Sequence, residues 1–118
     1  MSTQLSSQLS INKKYQNIEY LLNHVNDLYN YIKLNKNSDK DLANDITNGL
    51  LNEIHKEFYS MVEETKTSDK ILNYNNCLVT LVAASSIDLC EAILNNSDNT
   101  VINHFYDRWK VLYSKTRF

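Results

Sequence analysis

The chain has 118 residues, a 42% hydrophobic and 22% charged composition and a net charge of −2. That is enough chain for one core without metal or disulfide staples, and too little net charge for a global pull towards nucleic acid or acidic membrane. It contains no proline and one glycine, Gly49. All-β folds and doubly wound α/β folds draw on both residues for tight turns and phosphate loops, whereas helices joined by polar loops need neither.

Residues 1–9 are polar and are expected to form a flexible tail, without the apolar stretch of a signal peptide. From Ile11 a regular pattern begins. Ile11, Tyr15, Ile18, Leu22, Val25, Tyr29 and Ile32 recur at spacings of four and three, a heptad seam that predicts a helix over roughly 10–35. Leu21 and Leu28 widen the seam, which then suits a multi-helix bundle better than a two-stranded coiled coil. Tyr20 and Tyr31 fall off the seam and are expected to point outwards, which makes them candidate partner-binding residues.

Asn-Lys-Asn-Ser at 35–38 breaks the pattern, and Ser38 with Asp41 resembles a capping box for a second helix over roughly 39–65. Leu42, Ile46, Leu50, Ile54, Phe58 and Met61 are its expected buried face, flanked by Leu51 and Val62. Gly49 lies on that face, compatible with close helix approach or with a kink.

A polar break at 65–69 precedes the third helix, roughly 69–94, with Thr67 or Ser68 as its cap. It is the most apolar part of the chain, and Cys77 to Ala84 are apolar nearly all round, as expected of a helix at the centre of a fold. No uncharged apolar stretch long enough to predict a membrane span is present. Cys77 and Cys90 are thirteen positions apart on this helix, or about 20 Å along its axis. A disulfide needs Cα atoms within about 7 Å, so they are read as reduced core residues of an intracellular, cytoplasmic or nuclear protein.

The fourth helix, roughly 98–115, begins at Asp98 or Asn99 and carries two stripes. One is Val101, Phe105 and Leu112; the other is Ile102, Tyr106, Trp109 and Tyr113. Four helices need not cover both stripes, so Tyr106, Trp109 and Tyr113 join the candidate partner-binding set. The expected fold is therefore all-α: an antiparallel up-down-up-down bundle of about four helices, one domain over 10–118.

The search for chemistry gives little. The positions three after Glu19, Glu53, Glu57, Glu63 and Glu91 hold no histidine, so the Glu-x-x-His pairs of di-iron bundles are missing. There is no His-x-x-x-His and no Cys-x-x-Cys, and His24, His55 and His104 fall on three different helices. A lone glycine builds no phosphate loop. Neither enzymatic activity nor a cofactor or metal is expected. The C-terminal interleaving of bases and aromatics superficially suits single-stranded nucleic acid, but the aromatics lie at core spacing and the cations suit a helix C-terminus.

The charge is uneven. Residues 37–68 hold seven acids and three lysines, for −4, while 95–118 hold four bases and two acids, for +2. The 17 asparagines are read as genome bias. In length, helical content and central apolar helix the chain is similar to short viral apoptosis regulators, though their Gly-Arg motif has no counterpart here. The expected function is a non-enzymatic protein–protein interaction module, a small subunit or adaptor of an intracellular assembly with helical protein partners or a second copy. The alternative is a virus-encoded, Bcl-2-like bundle that captures a host helix in a groove.

Overall fold

The computed structural model describes residues 2–34, 40–67 and 74–117, with side chains described from Tyr15 in the first helix, to Glu63 in the second and from Asn76 in the third. It is a four-helix bundle: α1 (Ser2–Leu34), α2 (Lys40–Thr67), α3 (Tyr74–Leu94) and α4 (Asn99–Lys115). The described residues contain no strand. The expected capping residues Ser38 and Ser68 lie outside the described residues.

α1 starts eight residues earlier than its seam predicts, so Ser2–Leu9, expected as a tail, continue the helix. No glycine or proline stands in that stretch. Propagation from an existing helix adds one hydrogen bond per residue fixed, and only such breakers stop it at once. From Tyr15 on the seam packs as expected: Ile18, Leu22, Val25 and Tyr29 are buried, with Leu28 beside them, and Tyr15 and Ile32 pack against this core, while the side chain of Ile11 lies outside the described residues.

α3 organises the bundle. Leu78, Val79, Val82, Ala83, Ile87, Leu89, Cys90, Ala92 and Ile93 are all buried, as are Ser85 and Ser86. A helix apolar on nearly every side must be surrounded, and α3 packs against α2, α4 and α1 in turn. By length and composition Asn76–Leu94 could also cross a membrane, but over half of that stretch is buried inside the bundle. The Ser86 hydroxyl bonds both to its own helix and across to α4: its Oγ donates to the Val82 carbonyl and accepts Trp109 Nε1–H at 2.7 Å.

Residue order across each contact gives the topology. Ser86 meets Trp109 across α3 and α4, whose numbering runs in opposite directions from their connection. Tyr113, Tyr106 and Asn103 meet Asn23, Asn26 and Tyr29 in that order, so α1 and α4 are antiparallel too. The C-terminal end of α1, the N-terminal end of α2, the C-terminal end of α3 and the N-terminal end of α4 therefore share one end of an up-down-up-down bundle.

α2 departs from its predicted face. Its core line runs through half-buried Ala43, fully buried Thr47, then Leu50 and Ile54. Leu42 and Ile46, expected in the core, are 49% and 47% exposed. The Thr47 hydroxyl is satisfied by the Ala43 carbonyl at 2.6 Å, which lets a polar side chain sit inside without an unpaired donor.

The α3–α4 connection shows how a chain this poor in glycine ends a helix. Asn96 adopts φ 56°, in the left-handed region. Ser97 N–H then reaches back to the Ala92 carbonyl at 3.0 Å and Asn96 N–H to Ile93 at 3.1 Å, a Schellman closure with asparagine in the usual glycine position. Asp98 then precedes α4 and its carbonyl accepts Ile102 N–H at 3.0 Å. Replacing Asn96 by valine should cost roughly 1–2 kcal/mol, since a β-branched residue tolerates left-handed backbone poorly, while Asn96→Gly should be neutral or stabilising. Urea denaturation of the two variants checks this; equal stability of both would contradict the reading.

Candidate functional site

The aromatic stripe of α4 is turned inwards. Trp109, expected as a partner contact, is 3% exposed and closed off by α3 through its bond to Ser86. Tyr106 and Tyr113 stack on either side of it, at 5.8 and 5.0 Å between ring centroids. Tyr106 also lies flat on Tyr29 of α1, at 3.6 Å and 2°. Tyr106, Trp109 and Tyr113 are therefore spent within the chain, and the stripe is a wide core face. The physical reason is that α1 covers the side of α4 that α3 leaves open.

That cover is made by asparagines. The Tyr106 hydroxyl donates to Asn26 Oδ1 at 2.6 Å, Tyr113 to Asn23 Oδ1 at 2.8 Å, and Tyr29 to Asn103 Oδ1. Three phenols and three amides thus form rungs along the α1–α4 seam. These asparagines carry structure. The clue in the sequence was their spacing: Asn23, Asn26 and Tyr29 recur every three positions on one helix face.

Burial pushes all three phenols above the ordinary tyrosine value of 10.0, reinforced for Tyr29 by Asp107, for Tyr106 by Tyr29 and Asp107, and for Tyr113 by Glu19. The Cys90 thiol is pushed up to about 12, by burial first and by Glu91 second, and packs as a neutral apolar group. Cys77 is half-buried on the same helix, and both cysteines are free. His55 Nδ1 is buried without a hydrogen-bond partner, and its ring stacks on Tyr59 at 5.8 Å. Among the described residues no three His, Cys, Asp or Glu side chains are grouped as a metal site would require.

What faces outwards is the seam between α1 and α2. An open groove of about 360 Å³ runs along it, lined by His24, Asp27, Leu28 and Tyr31 from α1 and by Ile46, Gly49, Leu50 and Glu53 from α2. Its floor is apolar and its lips are acidic. Gly49 helps to form it: a Cβ built there would meet nothing within 4 Å, so this glycine neither holds two helices close nor relieves a clash. The groove exists because α2 turns small Ala43 and Thr47 towards the core and carries Ile46 to the surface. Tyr31 is half-buried in the groove wall. Tyr20 is 64% exposed and packs edge-on against His24 at 4.4 Å, one turn beyond the groove.

Two of the five residues singled out from the sequence, Tyr20 and Tyr31, thus lie at one surface feature; Trp109 is buried, and Tyr106 and Tyr113 are half-buried at the α1–α4 seam. Ile46 and Gly49 were not singled out as surface residues, because the expected core line of α2 ran through Leu42 and Ile46. No protein-family model matches the chain, and no curated protein or solved structure matches it either.

The raised phenols carry a pH dependence with a definite sign. Each is favoured neutral in the fold, so its contribution is intact below pH 10, the unfolded value, and is lost as pH rises through the higher folded value. Phenolate absorbance, compared with the Tyr29→Phe, Tyr106→Phe and Tyr113→Phe variants, should show these three phenols ionising above the ordinary tyrosine value, with thermal stability falling over the same alkaline range. Ionisation of Tyr29, Tyr106 and Tyr113 at the free value would contradict the ladder.

Proposed function

We propose that the chain is a non-enzymatic helical interaction module, a small subunit or adaptor of a larger assembly, and that it docks partners in the groove between α1 and α2. The observation that carries this reading is the groove itself. It leaves Ile46 47% exposed beside an open glycine, over a floor made by buried Leu28 and Leu50, where a monomer would be expected to keep a large apolar side chain inside. A helix laid along such a seam inserts an apolar ridge between two existing ridges, the ordinary means by which helices pack.

The groove also supports the alternative of a virus-encoded bundle that captures a host helix. The two readings share a surface and differ in where the partner comes from. In the subunit reading it is encoded with this chain; in the capture reading it belongs to a host.

Substituting Ile46 by glutamate tests the shared claim, because Ile46 is half exposed and the change leaves the core untouched. Tagged wild-type chain purified from its own cells should retain a helical protein at a fixed ratio. Ile46→Glu should lose it, by on the order of tenfold or more, while circular dichroism remains helical. A partner retained equally by both would place docking elsewhere.

A further inference from the structure

The charge of the chain is unevenly shared among its helices. Acid-rich α2 and base-rich α4 lie on opposite sides of α3, and each packs against α3 and not substantially against the other. Among the described residues, Arg108 and Lys115 of α4 and Asp27 at the groove lip have no ion-pair partner. Glu53 has only Lys56, one turn along its own helix, in an exposed pair of little worth.

The outer face of α4 has a matching pattern. Val111 is 54% exposed, although the inward face of the same helix is fully engaged. Arg108 stands three residues before it and Lys115 four after, about 4.5 and 6 Å along the axis and on the same side. The α1/α2 groove offers the complement: an apolar floor at Ile46 and Gly49, with Asp27 and Glu53 at its lips. Gly49 leaves room where a short branched side chain would enter.

We infer that the groove receives the outer face of α4 from a second copy of this chain, with Val111 over Gly49 and Arg108 and Lys115 against Asp27 and Glu53. This rests on the groove being the docking site proposed above, and it names the occupant. The two surfaces differ, so the contact is head-to-tail. Each copy keeps one free groove and one free α4 face, and association continues into rings or open chains instead of stopping at a symmetric dimer. The attraction is carried partly by exposed charges, so it weakens with salt.

Sedimentation velocity of the full chain over a range of concentrations tests this. At about 10 mM salt, where the screening length is about 30 Å, the average mass should climb above the 13.8 kDa monomer with concentration. At about 1 M salt, where that length is about 3 Å, association should weaken on the order of tenfold or more. Val111→Glu alone and Ile46→Glu alone should each be monomeric. Mixed together they should form a one-to-one dimer, since each keeps the face the other lacks. Arg108→Glu should weaken association and Asp27→Arg should restore it in the same chain.

Wild-type chain that stays monomeric at both salt concentrations overturns the proposal, as does a Val111→Glu and Ile46→Glu mixture that fails to pair while both variants stay helical. Either result leaves the groove reading to the cellular test with Ile46→Glu. Loss of the groove reading would instead appear there, as a partner held equally by both chains.

Discussion

The structure depends on one constraint: α3 is apolar over most of its circumference and has only a narrow strip that water can accept. Its buried positions cover well over half of its circumference, leaving Leu81, Asp88 and Glu91 on one exposed strip, and the hydroxyl of buried Ser86 bonds to its own backbone and to Trp109. A helix of that kind is stable only when other helices surround it. Short polar connections on either side then make α2 and α4 its antiparallel neighbours, and α1 closes what remains. The two charged helices end up on opposite sides of the bundle because the apolar one lies between them.

The α1–α4 seam follows from the same arrangement. With α3 taking one side of α4, the aromatic stripe needs cover on the other. α1 provides it with asparagines, which accept the phenolic protons while the rings stack. Each phenol is thereby paired as it is withdrawn from water, as a part-buried hydroxyl requires. The result uses tyrosine both as apolar surface and as a polar anchor, and it accounts for residues that an interface would otherwise claim.

Much of the fold was legible in the pattern of apolar residues. The seam of α1 and the apolarity of α3 are strong signals; the seam holds from Tyr15 on, and α3 is buried on most of its sides but leaves Leu81 48% exposed. The start of α1 was not legible, because a polar stretch without breakers reads alike as a tail or as the continuation of a helix. The face of α2 was misread for a different reason. Leu42 and Ile46 repeat at helical spacing with Leu50, but so do Ala43 and Thr47, and periodicity alone ranks large residues over small ones. Packing chose the smaller pair beside α3. The groove lies in that difference, which is why the surface now favoured for docking was invisible from spacing alone. Trp109 was ambiguous in kind: two adjacent stripes on one helix do not say which of them its neighbours will cover.

The central claim is that α3 is the hub on which the other helices depend. Native-state hydrogen exchange measures this directly, since it gives an opening free energy for each backbone amide. The amides of α3 from Val79 to Cys90 should be the last to exchange and should open only with global unfolding, while those of α1 and α2 lining the groove open earlier. Exchange in α3 as fast as in the outer turns of α2 would contradict the account.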